Sequence, residues 1–187
     1  TDKSEMVTQI LFGETFEILE ERGNWLLIQT HVDKYNGWID RKQSLEVKTD
    51  FIEKIRNSTM HVVAERTSVC YCKNDSSYIM LGKGCQLPLL TNNTFHLGEK
   101  VYTTTEKGKA IPKKFNAAKV AETALDYMNT PYLWGGRSIM GIDCSGLVQV
   151  VYHMRGFDLP RDAAEQAAYG NVIDFVDETI QGDLAFF

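Results

Sequence analysis

A cysteine at a loop-to-helix junction is the residue of this chain best placed to do chemistry. Residues 131–146 read Pro-Tyr-Leu-Trp-Gly-Gly-Arg-Ser-Ile-Met-Gly-Ile-Asp-Cys-Ser-Gly, with Gly135, Gly136 and Gly141 marking loop. Asp143 is a good N-cap residue, and the apolar run at 147–152 is too rich for a surface helix. Cys144 is therefore expected in the first turn of a buried helix. The unpaired N–H groups and dipole of a helix start favour negative charge, and the thiolate is the nucleophilic form of cysteine. A cysteine is more often a small core residue, so helix position alone leaves both readings open.

A cysteine nucleophile needs a base, usually histidine, within hydrogen-bond reach. The chain has four histidines: His31, His61, His96 and His153. His153 falls on the same helix as Cys144 but on its opposite face, on the order of 13 Å away at 1.5 Å rise per residue. It cannot serve. The other three read as surface or strand residues of β segments.

Three segments in order, Pro131-Tyr132-Leu133-Trp134-Gly135-Gly136, Asp143-Cys144-Ser145-Gly146 and Leu159-Pro160-Arg161-Asp162, resemble the NlpC family of papain-like cell-wall cysteine peptidases. The resemblance covers about residues 115–187, and a weaker one to bacterial SH3-like modules precedes it. It implies a γ-D-glutamyl-L-diamino acid endopeptidase that cuts peptidoglycan peptides after L-Ala-D-Glu through a thioester at Cys144, with no metal or organic cofactor. The partners it implies are wall peptides, L-Ala-γ-D-Glu-L-Lys or its diaminopimelate counterpart. By the same resemblance Trp134 walls the substrate pocket, although a core tryptophan is an equal alternative. Asp143 and Ser145 hold the free amine of the substrate, Asp143 also serving as N-cap, and Arg161 and Asp162 form a further substrate segment. Relatives often carry serine after that aspartate; here it is Ala163. Tyr35 is the candidate for a tyrosine with which the first SH3-like module closes the pocket, against the alternative of an exposed turn residue. A carboxylate facing an N-terminal amine is a charge-assisted contact, and a capping module excludes long substrates sterically.

The family's base is a histidine on a strand after the nucleophile helix. Residues 182–187 read as the lead-in to such a strand, so the catalytic pair is expected to be incomplete and the chain inactive by itself. Two other readings stand beside this one. The chain is a wall-binding SH3-like protein with a degenerate peptidase domain, or the fold is kept and the reaction is that of an amidase or acyltransferase.

The elements that must position these residues divide the chain in three. The expected class is α+β: a papain-like domain at 113–187 preceded by two small all-β SH3-like barrels at 1–48 and 49–112. In the first, Phe16-Glu17-Ile18-Leu19-Glu20 alternates, Gly23-Asn24 breaks, residues 25–29 continue the strand, and Asn36-Gly37 signals a tight hairpin. Residues 6–11 also read as strand, and the fold's first strand is not apparent before them. Trp25 and Trp38 read as core and turn residues rather than ligand platforms. In the second, strands are expected at 62–64 and 69–72 after residues 51–55. Gly82-Lys83-Gly84-Cys85-Gln86-Leu87 loosely echoes Gly13-Glu14-Thr15-Phe16-Glu17-Ile18. Residues 106–114 read as a linker. From Asn116 the period is helical, with Val120, Ala121, Ala124, Leu125 and Met128 on one face, stopped by Asn129-Thr130-Pro131. Gly156 signals the end of the nucleophile helix, and Asp162 with Glu165 is spaced as a capping box for a short helix before Gly170.

Composition bounds the rest. The chain has 187 residues, 43% hydrophobic, and a net charge of −5. No apolar stretch is long enough to span a bilayer, and no basic stripe suits nucleic acid. Besides Cys144 there are Cys70, Cys72 and Cys85, an odd remainder that argues against a disulfide framework. Cys70 and Cys72 share one strand face, which is also metal-ligand spacing, but the further ligands a zinc site needs are only scattered histidines. No signal peptide is visible, and both ends read as trimmed. The resemblance implies the bacterial cell envelope, periplasmic or secreted, over the cytoplasm.

Overall fold

The computed structural model describes residues 4–187. Thr1 to Lys3, the start of the expected 1–48 module, lie outside the described residues. The chain separates into two compact units, Ile10–Ile111 and a discontinuous one made of the residues up to Gln9 with Pro112–Phe187.

The Ile10–Ile111 unit begins with a three-stranded antiparallel meander, β1 (Phe16–Arg22), β2 (Trp25–Thr30) and β3 (Asn36–Asp40). Gly23 takes φ 59° in the tight turn that pairs Arg22 with Trp25, a conformation glycine adopts without a Cβ penalty. The second connection is not the expected Asn36-Gly37 hairpin. Both residues lie within β3, opposite Gln29 and Ile28, and the chain turns at 31–35 with Lys34 at φ 58°. Strand alternation buries Leu26, Ile28 and Thr30. Trp25 and Trp38 fall on strands and are 39% and 42% exposed, so neither the core nor the turn expectation holds; the Arg22 guanidinium lies 5.0 Å over the Trp38 ring.

Residues at 49–56 form helix α1 (Thr49–Arg56), which buries Ile55. A purely β reading of 49–112 misses this helix, although Phe51, Ile52 and Ile55 have helical spacing. Next come β4 (His61–Val62), β5 (Thr67–Cys72), β6 (Tyr78–Gly82), β7 (Thr94–Leu97), β8 (Lys100–Thr104) and β9 (Lys109–Ala110). Four of them form a sheet in the order β6-β5-β8-β7, and β4 pairs with β9. The expected linker at 106–114 therefore contains a strand, and the Ile111 N–H donates to the Met60 carbonyl at 2.9 Å. Cys70 and Cys72 point into the core with Leu81, Phe95 and Tyr102. Phe95 stacks on Tyr102 at 5.1 Å, and Phe12 meets both edge-on. Burial pushes the Cys85 thiol up to about 11 and raises that of Cys70, as expected of inert core thiols.

In the second unit residues 6–9 form no strand; the expected strand at 6–11 is absent. A 3-10 turn at Ala117–Lys119 leads into α2 (Val120–Leu125). Its buried side carries Val120 and Thr123, followed by Tyr127, while Leu125 and Met128 are 65% and 59% exposed and Ala121 also faces out. The expected face is thus corrected. Thr123 can be buried because its hydroxyl donates to the Lys119 carbonyl and accepts from Arg155 Nε. The hairpin β10 (Arg137–Ser138) and β11 (Gly141–Ile142) precedes α3 (Cys144–His153). Gly156, at φ 85°, ends α3: its N–H reaches the His153 carbonyl and that of Phe157 reaches Tyr152. Helix α4 (Ala163–Ala167) follows, but Asp162 makes no side-chain cap bond, so the capping box is not formed. Phe115, Tyr152, Phe157 and Tyr169 build an aromatic cluster against α3. No helix among the described residues is long and apolar enough to cross a membrane.

Candidate active site

Cys144 is the first residue of α3 and is exposed, whereas Cys70, Cys72 and Cys85 are buried. Its helix is anchored beneath it by Val150, Val151 and Tyr152. Burying such side chains contributes about 1.5–3 kcal/mol each. The sulfur is thus carried by the outer end of a fixed rod rather than by a mobile loop.

Asp143 caps that end. Its Oδ1 accepts the Gly146 N–H at 2.6 Å, and its Oδ2 accepts the Gly135 N–H at 2.8 Å and Arg161 Nη2 at 2.6 Å. Burial pushes the carboxyl up, but the Arg161 guanidinium and the two backbone N–H groups outweigh it and hold Asp143 below its usual value. Gly146 is required there: a Cβ would come 2.2 Å from the Gly136 carbonyl oxygen. The loop before Cys144 is fixed by its own backbone bonds, Gly136 N–H to Leu133 O at 2.9 Å and Asp143 N–H to Gly136 O at 3.2 Å.

Arg161 is 2% exposed and gathers the residues on either side of the cysteine. Its Nη1 donates to Ser145 Oγ at 2.8 Å and its Nη2 to Asp143. Gln166 ties α4 to α3, its Nε2 donating to the carbonyls of Ser145 at 3.0 Å and Pro160 at 2.8 Å. Gln149 Nε2 holds the Leu159 carbonyl at 3.0 Å. Buried polar contacts of this kind tie α4 and the 159–161 segment to the first turns of α3.

Of the residues singled out in the sequence, Asp143, Ser145 and Arg161 converge in one buried network around the first turn of α3. Asp162 adjoins it but is exposed, and its carboxylate makes no hydrogen bond or ion pair among the described residues. Trp134 is 60% exposed on the loop, which removes the core alternative. Tyr35 belongs to the Ile10–Ile111 unit, half-buried at the end of the 31–35 turn, its N–H donating to Thr30 Oγ1 at 2.9 Å and Asp33 Oδ1 at 3.3 Å. Nearby in that turn, Thr15 Oγ1 meets His31 Nδ1 at 2.8 Å. Burial, then Arg56 and Lys34, hold His31 below its usual value.

His153 pairs with Asp158, Nδ1 to Oδ1 at 2.5 Å, at the far end of α3. Among the described residues no group of three or more His, Cys, Asp or Glu could hold a metal ion. Sequence reading missed Gln166, Thr8 and Gln9. Gln166 lies one helical turn beyond Asp162, the spacing that faces it back toward α3. Thr8 and Gln9 carried no signal, since their contacts are far away in sequence.

Residues 129–187 match the family described as NlpC/P60, and residues 1–43 match the bacterial dipeptidyl-peptidase SH3 domain. The chain is 31% identical over 195 residues to a gamma-D-glutamyl-L-lysine dipeptidyl-peptidase of Bacillus subtilis, an alignment covering 96% of this chain and 63% of that protein. It is 31% identical over 207 residues to dipeptidyl-peptidase 6 of Lysinibacillus sphaericus, covering 98% of this chain and 74% of that one. A crystal structure of an NlpC/P60 family protein from Bacillus cereus matches at TM-score 0.80 and 25% identity, over 94% of this chain and 63% of its own. The chain thus spans just under two thirds of the length of the Bacillus subtilis relative.

Proposed function

The chain belongs to the NlpC/P60 family, and from that premise we propose that it carries the nucleophile and much of the substrate pocket of a cysteine peptidase acting on peptidoglycan peptides. The bond cut is that between γ-D-Glu and the following L-diamino acid, L-lysine or diaminopimelate, in peptides with a free N-terminal L-Ala. The observation that carries the reading is an exposed Cys144 at the start of a buried helix whose cap is itself fixed by a buried arginine.

Cys144 Sγ attacks the γ-carbonyl carbon and forms a thioester; the amine of the diamino acid leaves with a proton, and water then hydrolyses the thioester. The uncommitted carboxylate of Asp162 suits the substrate's amine, a charge-assisted contact. The Asp143 carboxylate is already bonded to Gly146, Gly135 and Arg161, so it acts on the substrate by fixing the helix start. Ser145 and Arg161 act with it in this positioning role. Trp134 offers an exposed ring beside the thiol's loop. We also read residues 1–48 and 49–112 as two SH3-like modules, supported by the three-stranded and four-stranded sheets on either side of α1, and place the protein in the bacterial cell envelope. Among the described residues of the Cys144 unit the base is the unfilled role, since its histidine, His153, is the last residue of the helix that Cys144 begins. The unfilled base and Ala163 are what favour the second reading, a wall-binding protein with a degenerate peptidase domain.

Alkylation by iodoacetamide separates the two. A Cys144 that reacts faster than a free cysteine peptide supports the peptidase; one that reacts no faster overturns it. Cleavage of L-Ala-γ-D-Glu-L-Lys against its N-acetylated form then tests amine recognition, and equal rates on both refute it.

A further inference from the structure

We propose that Thr8 is a positioning residue of the Cys144 site, acting through Arg161, and that the N-terminal strap at 6–9 is an integral part of that site. The inference rests on the peptidase reading in taking Cys144 as the nucleophile. Arg161 is buried, and its planar guanidinium is held at three points. Two of them, Ser145 Oγ and Asp143 Oδ2, lie on either side of Cys144. The third is Thr8 Oγ1, which accepts from Nε at 3.0 Å across 153 residues of sequence. Three contacts fix the plane of a guanidinium; two leave it free to rock about the line joining them. Removing the Thr8 hydroxyl also leaves a buried N–H without a partner.

The strap grips the other wall of the site as well. Gln9 Oε1 accepts the Arg137 N–H at 2.8 Å, and the Gln9 carbonyl accepts Arg137 Nη1 at 2.8 Å. The Met6 carbonyl oxygen lies 2.5 Å from where a Cβ on Gly135 would stand. Gly135 is the residue whose N–H donates to Asp143. The segment before Cys144 and the arginine after it are thus both braced by four consecutive residues from the chain's other end. If the strap lets go, the Arg161–Asp143 cap loosens and the first turn of α3 loses the fixed N–H groups that favour a negatively charged group at Cys144.

The test uses the full chain and iodoacetamide as probe. The second-order rate of Cys144 alkylation at pH 7 is followed by intact mass, with Cys144→Ala as background and the melting temperature measured alongside. Thr8→Val keeps the shape and removes the hydroxyl, and it is expected to slow alkylation by on the order of threefold to tenfold. Thr8→Ser is expected to return the rate to within about twofold of wild type. Gln9→Ala is expected to slow alkylation too. Ser68→Ala, which removes the buried Ser68–Thr104 hydroxyl pair of the other unit, is expected to lower the melting temperature and leave the rate unchanged. A wild-type rate in both Thr8→Val and Gln9→Ala overturns the inference, as does a Thr8→Ser rate no better than Thr8→Val. A wild-type Cys144 no faster than a free cysteine peptide is a different result: it overturns the peptidase reading itself.

Discussion

The two units bury different things. The Ile10–Ile111 unit closes over Leu26, Ile28, Val62, Leu87 and Phe95 with two nearly inaccessible thiols. Its buried polar groups include neutral pairs across strands, as in the Ser68–Thr104 hydroxyl pair at 2.7 Å. The unit holding Cys144 buries an ion pair, Arg161 with Asp143, and two glutamines at 0% and 3% exposure. Apolar burial stabilises in rough proportion to area and asks little of geometry. A buried charge pair carries a desolvation penalty that cancels much of its attraction. Such a pair is poor scaffold material, and its presence at the first turn of α3 is best understood as fixing atoms rather than adding stability. The Ile10–Ile111 unit also buries a charge, Lys83, but sets it on a backbone carbonyl; beside Cys144 two buried charges face each other.

The sharpest break between the units is chemical. Cys144→Ala is expected to abolish labelling by iodoacetamide under native conditions, because the other three cysteines are buried, while shifting stability by no more than about 0.5 kcal/mol. Labelling that persists in that variant would erase the distinction between exposed and core thiols. Next in size, Arg161→Leu and Phe95→Ala are each expected to cost about 3–5 kcal/mol, the first by stranding Asp143 and the second by opening a cavity. Urea denaturation reads the stability, and alkylation of the still-folded protein separates them: Arg161→Leu should slow Cys144, and Phe95→Ala should leave it alone.

A smaller effect is expected with acid. The folded Asp143 carboxyl is held below its usual value, so its contribution is fully present above the unfolded value of about 3.9. It is lost as pH falls through the lower folded value. Unfolding free energies measured across that window should decline with acid, and the decline should be shallower in Asp143→Asn. The smallest effect belongs to the surface of the other unit. Arg41 and Glu21 pair at 2.5 Å with both side chains about half exposed. Arg41→Ala should therefore cost less than about 1 kcal/mol, and less still in high salt.

The α+β architecture, with a papain-like unit and an SH3-like module, was legible because its signals are local. Asp143 before Cys144, the apolar face of α3 and Gly156 after it each sit within a few residues of what they control. The first two strands of the meander and the place of Cys144 in the first turn of a helix followed from the same kind of pattern. What escaped was decided at a distance. Leu125 and Met128 read as the inner face of α2, but Thr123 could go inside because Arg155 supplies a partner from α3. Asn36-Gly37 carried the hairpin pattern, yet the Thr30–Asp33–Tyr35 bonds set the turn earlier. Asp143 and Arg161 were both singled out, but nothing in their own segments said that each would spend its charge on the other. Thr8 and Gln9 were invisible for the same reason.

The brace between Thr8 and Arg161 has a consequence for the order in which the protein is made. Thr8 leaves the ribosome 153 residues before the arginine it meets. Gln9 can meet Arg137 somewhat earlier, but Thr8 has no arginine to brace until Arg161 is made, and by then the Ile10–Ile111 unit has long been complete in sequence. Closing so long a loop over an unfolded chain forfeits on the order of 4 kcal/mol of chain entropy; over a unit that has already folded, much less of that freedom remains to be lost. Translation thus favours an order in which the Ile10–Ile111 unit folds first and the discontinuous unit, built from the segments on both sides of it in sequence, is completed last. The thiol is then braced only once Arg161 has been read, so a nascent chain stalled before Arg161 carries a cysteine whose helix start is not yet locked.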